Sequence, residues 1–387
     1  MVQIRAFRGL RPKREYVHEV ASPPYDVISS DEARKIAAGN PHCFLHVTKP
    51  EIDLDPSIDI YSDAVYNSGA KNFNDFIKQG ILIRDKTPCF YVYRLCMGSH
   101  IQSGLAAALS CADYEKDIIK KHEKTREDKE NDRMRHILTL KAQTGPVFLT
   151  VKSDPRFKDI IESVASLDPE YDFTASDGVR HTVWVVANQD RIFDFIGLFA
   201  RMDVLYIADG HHRSAAAVRA ARRLKEFNAR HTGIEEYNFF LGVIFPADEM
   251  NILEYNRVVK DINGLSEDAF LERLGERFDL QDAHKASPPF PHMFGIFLNG
   301  KWRWATAKPK TFDKNDPVSR LDVSILQNNV LEPLLGIRDP RRDTRIDFIG
   351  GIRGTKELEE LVNSGKFKIA FSLFPVSIAD LISIADA

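Results

Sequence analysis

One stretch constrains this chain more than any other: VLYIADGHHRSAAAVRAARRLKEF, residues 204–227. Its first five residues are apolar without alternation, the pattern of a strand covered on both faces. A polar turn with one glycine, Gly210, follows, and a helix starts at the turn and runs from about Arg213 to Phe227. Just upstream, RHTVWVVAN (180–188) reads as a strand and 189–201 as a helix. The order strand, helix, strand, helix predicts an α/β fold built on an open sheet.

A helix that begins directly after a turn leaves its first backbone N–H groups unpaired, with the positive end of its dipole behind them. An anion fits there. Gly210 allows close backbone approach, Arg213 offers a forked donor, His211 and His212 offer ring nitrogens and Ser214 a hydroxyl, a set suited to a phosphate group. Asp209, at the strand end, is placed to hold Mg²⁺ or to accept a proton. The competing reading is that Asp209 only caps the helix and the histidines are polar surface. Adjacent histidines diverge on a helix and no partner stands at a ligand spacing, so zinc is not expected. The patterns GxxxxGK[ST] and GxGxxG are absent, so a nucleotide site here would be of another kind.

Around this unit the chain reads as mixed α/β. Ile4, Phe7 and Leu10 alternate as an opening strand, SPPYDVIS (22–29) is a turn forced by paired prolines, and Asp31 caps a short helix. Residues 57–79 carry apolar positions at helical spacing, and 89–95 with 101–110 form a hairpin. NFFLGVIF (238–245) is a further strand, and NRVVKDINGL (256–265) leads into a helix near Ser266. KASPPFPHM (285–293), with three prolines, is expected to be extended and to pass between substructures. FGIFLNGKWRWATA (294–307) is a hairpin turning at Asn299-Gly300, with Phe297, Trp302 and Trp304 as a packed face rather than a base-stacking platform. A helix at DVSILQNNVLEPLLG, a strand RIDFI, a helix over 355–363, a strand KIAFSLF and a terminal helix complete the chain.

Composition narrows the function classes. The 387 residues exceed the usual size of one core, and 43% hydrophobic with 28% charged residues is ordinary for a globular protein. With 53 basic and 56 acidic residues the formal charge is -3, so no global field draws the chain onto nucleic acid or anionic lipid. No apolar run reaches the roughly 18 residues of a membrane span. Cys43, Cys89, Cys96 and Cys111 include no CxxC pair, which together with the absence of an apolar leader predicts a reducing, cytoplasmic setting.

Two further segments carry chemistry-bearing residues. In SPPYDVIS the Pro23-Pro24 pair fixes Tyr25 and Asp26 beside the first strand, a place for a general base or simply a capped turn. KHEKTREDKENDR (121–133) supplies His122, Glu123, Thr125, Arg126, Asp132 and Arg133 within a charged block, 115–141. That block reads first as a solvated helix or mobile loop. On a helix Arg126 and Arg133 would share a face, and such a lid could neutralise phosphate on closing. FIGGIRGTKELEEL (348–361) is a second strand, glycine turn and helix, either a tight connection or a cradle for an anionic group such as an amino-acid carboxylate, through N–H groups near Gly351 and the Arg353 side chain.

Asp209-Gly210-His211-His212-Arg213 followed by Ala216 resembles the phosphate-binding loop of the ParB/sulfiredoxin superfamily. Sulfiredoxins carry cysteine where His211 stands, so the resemblance argues against sulfinic-acid reduction. The free-serine kinases of that superfamily have a similar Asp-Gly-His-His-Arg loop and move a phosphoryl group from ADP or ATP to the serine hydroxyl. A longer resemblance covers SPPYDVIS, KHEKTREDKENDR, IADGHHRSAAA (207–217), LDVSILQNNVLEPLLGI (321–337) and FIGGIRG (348–354), the ordered boxes of a prokaryotic domain-of-unknown-function family, number 1015. That family continues past an Ile-Ala-Asp-Ala end with a tail containing proline, lysine and tryptophan, where this sequence stops.

The two resemblances imply a ParB/sulfiredoxin-like α/β core over 1–260, with a helical insertion near 115–170, and a smaller α+β part over 261–387. They imply a nucleotide-dependent small-molecule kinase using ATP or ADP with Mg²⁺ and acting on a small hydroxyl compound, free L-serine first. In that reading Asp26, Asp209 and His211 are catalytic, with Asp209 on the metal. Gly210, His211, His212, Arg213, Ser214, Arg126 and Arg133 bind phosphate, and Tyr25, Gly351 and Arg353 touch the substrate. The alternative is a nucleotide-binding regulator or a ParB-like protein that handles nucleic acid, supported by the basic positions Arg219, Arg222, Arg223 and Lys225.

Overall fold

The computed structural model describes residues 1–123 and 125–386, and the chain divides into two compact units, Met1–Met250 and the residues from Asn251 onward. In the first unit a mixed sheet of nine strands, counted among the described residues, runs in the order Ile119–Lys120, Leu205–Asp209, Val147–Val151, Phe239–Pro246, His100–Ser110, Phe90–Met97, Arg180–Val186, Tyr171–Thr174. Ile4–Arg5 adds to His100–Ser110 off this path. Leu205–Asp209 is parallel to Ile119–Lys120 and Phe239–Pro246 to Val147–Val151, while the other pairs are antiparallel. Helices Pro155–Ala165 and Gln189–Phe199 bury Phe157, Ile161, Val164, Ile192, Phe195 and Phe199 at amphipathic spacing, against Val92, Leu105, Leu149 and Leu205 of the strands.

Helix His211–Glu226 buries five alanines, whose small side chains let it lie close to the sheet and to helix Glu127–Leu140. That second helix corrects the reading of 115–141 as a solvated face or mobile loop. His136 and Leu140 are buried, and its charges find partners in Asp63, Thr48 and Arg219. Nor is 115–170 an insertion, since it supplies Ile119–Lys120 and the interior strand Val147–Val151.

The opening alternation does not make one strand. Ile4–Arg5 pairs with one partner, Phe7 forms a bridge to Cys89, and Leu10–Pro12 pairs with Leu82–Arg84, because the Gly9 amide donates to the Tyr91 hydroxyl instead of to a ladder. All four cysteines are free, and no helix among the described residues is long and apolar enough to cross a membrane.

The second unit is a six-stranded antiparallel sheet in the order Phe278–Asp282, Lys301–Ala307, Met293–Leu298, Ile369–Ser372, Tyr255–Val259, Ile346–Gly350. One face holds Val259, Phe294, Ile369 and Phe371 under Phe270, Leu274, Ile325 and Leu331; the other holds Val258, Phe297 and Ala370 under Leu358. The Asn299-Gly300 turn has φ of 51° and 72°, the two positive angles a two-residue hairpin needs. Phe297 and Trp302 pack there as a face. The proline-rich stretch 285–293 lies inside this unit, between two strands of its sheet, and does not join substructures.

Candidate active site

Segments far apart in the sequence meet where helix His211–Glu226 begins. The strand before it, Leu205–Asp209, loses register with Val147–Val151 between Ile207 and Asp209, a bulge at the strand's end, where the Asp209 carboxylate is 71% exposed. Gly210 caps the helix with φ of 95°, a left-handed angle. A Cβ there would lie 3.3 Å from the Val147 Cα and 3.4 Å from the Arg213 guanidinium carbon, so glycine is required by backbone angle and by space.

Arg213 is the hub. Its Nη2 donates to Asp209 at 2.7 Å and, across 187 residues, to Asp26 at 3.1 Å, while Nη1 donates to the Pro146 carbonyl. Nε is buried with no partner among the described residues. Burial works to lower the pKa of this guanidinium, but Asp26, Asp209 and Tyr25 hold it above its ordinary value.

His211 is buried, its Nδ1 3.5 Å from the Glu123 carboxylate and its Nε2 without a partner among the described residues. Its ring stands edge-on to that of His122, centroids 4.5 Å apart. Burial, with His122 and His212 beside it, pushes the pKa of His211 down to about 3, so the ring is neutral. His122 is also pushed down by burial, and it hydrogen bonds the Ile207 carbonyl where the bulge begins. His212 accepts from the Arg126 backbone N–H at 3.1 Å.

The other two segments close around this turn. Tyr25, in the short helix Tyr25–Val27, lies under the Arg133 guanidinium at 4.1 Å, and burial pushes its hydroxyl up to about 12. Arg133 is held by Asp132 at 2.7 Å, which also accepts from the Tyr66 hydroxyl. Arg126 and Arg133 do not share a helix face as expected. Arg126 stands before the helix in extended conformation, with its guanidinium turned to Asp128, and meets the turn through its backbone N–H.

Other expected residues have neighbours of their own. Ser214 is fully buried, and its hydroxyl bonds the Gly210 and His211 carbonyls, so it faces the core and not an incoming phosphate. Gly351 and Arg353 belong to the second unit. A Cβ on Gly351 would meet the Glu254 carbonyl oxygen at 2.7 Å and its carboxylate at 2.8 Å, so the chain's own acid lies against that turn. Arg353 faces Glu357 one helical turn on, at 3.7 Å. His122 and Glu123, read from the sequence only as members of a charged run, are the residues that contact His211; their distance in sequence from the loop left no signal of that pairing.

Chemically, the turn offers a helix start, a fixed guanidinium, two accessible carboxylates and a neutral imidazole. Among the described residues no three His, Cys, Asp or Glu side chains form a group that could hold a metal ion by themselves. Asp26 and Asp209 still fit Mg²⁺ in its usual mode, one or two carboxylates completed by phosphate oxygens and water. Their two charges exceed the single charge of Arg213, so a polyphosphate approaching without a cation meets net repulsion.

The chain belongs to the family described as protein of unknown function (DUF1015), whose model matches residues 4–324. No curated protein matches it. Similar solved structures include a conserved hypothetical protein from Pyrococcus furiosus, at 12% identity over 72% of this chain and 83% of that one, with a TM-score of 0.35. A mutant free serine kinase in complex with ADP matches at 12% identity over 73% and 82%, TM-score 0.35. A free serine kinase in complex with AMP matches at 11% identity over 73% and 81%, TM-score 0.36.

Proposed function

We propose that this family member is a nucleotide-dependent kinase of a small hydroxyl compound, with the turn Asp209–Arg213 as its phosphate site. The observation that carries the reading is the Arg213 guanidinium, fixed by acids from two distant segments at the start of a helix. Phosphoryl transfer needs positioning and charge neutralisation more than covalent help, and these are the parts present. The phosphate rests on the N–H groups after Gly210 and on Arg213, with Arg133 behind Tyr25 adding positive charge. Asp209 would hold Mg²⁺, which would neutralise charge on the transferring group. As the phosphorus–oxygen bond to the donor breaks and the bond to the acceptor oxygen forms, the hydroxyl proton passes to Asp26. His211, neutral and buried with Nδ1 toward Glu123, positions the turn from behind.

Free L-serine is the first acceptor to test, from the resemblance of the loop to those of free-serine kinases. Purified protein with Mg²⁺, serine and either ADP or ATP is expected to yield phosphoserine by mass spectrometry. Failure with both donors across a panel of hydroxy amino acids ends the acceptor assignment, and failure of any nucleotide to raise the melting temperature ends the site assignment as well. Of the four basic positions that favour the nucleic-acid alternative, Arg219, Arg222 and Arg223 pair with Glu130, Glu115 and Glu226.

A further inference from the structure

The second unit holds an arginine of a different kind. Arg257 lies in an interior strand of the six-stranded sheet, Tyr255–Val259, between Ile369–Ser372 and Ile346–Gly350, and only 9% of it is exposed. Its guanidinium carbon is 4.9 Å from the Tyr255 ring centre and 4.3 Å from that of Phe348, two rings stacked at 5.5 Å. Nη1 donates to the Tyr255 carbonyl at 2.6 Å and to the Asn256 carbonyl at 3.2 Å. Two carbonyls and two rings therefore fix the plane of the group and the direction of its edges.

Every other well-buried arginine of the described chain, such as Arg11, Arg133 and Arg213, has a carboxylate within 4 Å, whereas Arg257 has none among the described residues. A buried cation without a counter-ion is costly, and burial lowers its pKa to about 10. The rings and carbonyls offset part of that cost. They engage only Nη1 and the faces of the group. The Nε and Nη2 edge has no partner among the described residues, and neither nitrogen is among the atoms sealed from solvent. Nε and Nη2 form the side-on fork that takes two oxygens of one carboxylate or phosphate.

We infer that the Nε–Nη2 edge of Arg257, framed by Tyr255 and Phe348, is a binding site for one oxyanion group of a small ligand. The ligand supplies the counter-charge that no described residue provides. The exposed face of Tyr255, itself 54% exposed, rests against the body of that ligand. This site takes over the anion role that the sequence suggested for Gly351 and Arg353, whose neighbours are Glu254 and Glu357.

The test uses the full chain carrying Arg213→Ala, so that phosphate bound at the other turn does not contribute. Calorimetric titration with inorganic phosphate and, separately, with acetate is expected to show one saturable site for at least one of them; the stronger arm identifies the group. Adding Arg257→Lys keeps the charge but removes the fork, and is expected to weaken that binding at least about tenfold. If that double variant does not fold, Tyr255→Ala, at an exposed ring, replaces it and is expected to weaken binding several-fold. Binding of neither anion, or binding unchanged by either second substitution, overturns the inference. Neither result bears on kinase activity, which is read with Arg213 intact.

Discussion

Two strand–glycine–helix turns in this chain share a sequence grammar and differ in what surrounds them. At Asp209–Arg213 the glycine is left-handed, the strand before it is bulged, and the residues facing the turn come from positions 25–26, 122–123, 126 and 146. At Gly350–Gly354 the first glycine has an ordinary φ of -64°, Ile352 points to solvent, and the charged neighbours are Glu254 and the next turn's Glu357. The pattern strand, glycine, helix builds a connection. A site needs distant segments that hold its charges in place against their own repulsion and desolvation.

The two units are expected to part most widely with pH. The buried neutral form of His211 has a pKa of about 3 and that of His136 about 4, against 6.5 for a free ring. As pH falls the unfolded chain takes up protons first, so the stability these groups contribute is full above about 6.5 and is lost toward 3 and 4. Asp322 in the second unit runs the other way: burial raises it to about 6 from 3.8, so its contribution is present below 3.8 and is lost as pH rises through 6. One linked proton changes stability by up to about 1.4 kcal/mol per pH unit, so each histidine can remove roughly 3 kcal/mol between pH 6.5 and 4. Urea midpoints followed by Trp184 for the first unit and by Trp302 and Trp304 for the second check this. If His211→Gln leaves the acid loss of the Trp184 signal unchanged, the buried neutral ring is not its source.

Turnover separates the turns next. Asp26→Asn is expected to lower kcat about a hundredfold or more if Asp26 accepts the hydroxyl proton, while Glu357→Gln at the second turn leaves it unchanged. Full turnover in Asp26→Asn together with loss in a folded Asp209→Asn would move the base to Asp209.

Much of the first turn was legible because its signals are local: an apolar run, one glycine, then alanines at helical spacing. The sequence assigns the Ser214 hydroxyl to the phosphate, yet it stands three residues after His211 and four before Val218, on the side of the helix that the structure buries. The contact between Asp26 and Arg213 was not, because it spans 187 residues and no periodicity encodes it. Strand Val147–Val151 was hidden by the charged block before it, and Tyr255–Val259 by the polar Asn256 and Arg257 inside it, whose burial depends on the strands alongside. Glu254 against Gly351 likewise left no trace in the pattern that suggested a cradle.

Nucleotide affinity gives a smaller contrast. Arg213→Lys keeps the charge but cannot reproduce a fork, so binding is expected to weaken about tenfold, and Arg213→Ala further. Arg353→Ala is expected to change it less than about twofold, the scale of a surface ion pair. Calorimetric titration with ADP and ATP decides, and equal losses at both arginines would erase the distinction between the turns.

The smallest expected difference tests the backbone itself. At Gly210 an alanine must adopt φ of 95° and place its Cβ 3.3 Å from the backbone of Val147. The left-handed angle alone costs a non-glycine residue about 1 kcal/mol, and the crowding adds to it because the facing atom is main chain and cannot rotate away. At Gly350 the angle is one that any residue adopts and no atom lies within 4 Å of the added Cβ, so Gly350→Ala is expected within about 0.5 kcal/mol of the parent. Urea unfolding of both variants measures the gap. If Gly210→Ala is as stable as Gly350→Ala yet loses nucleotide binding, glycine is there to admit the ligand to the backbone; if it loses stability and still binds, glycine serves the fold and the phosphate is held by side chains.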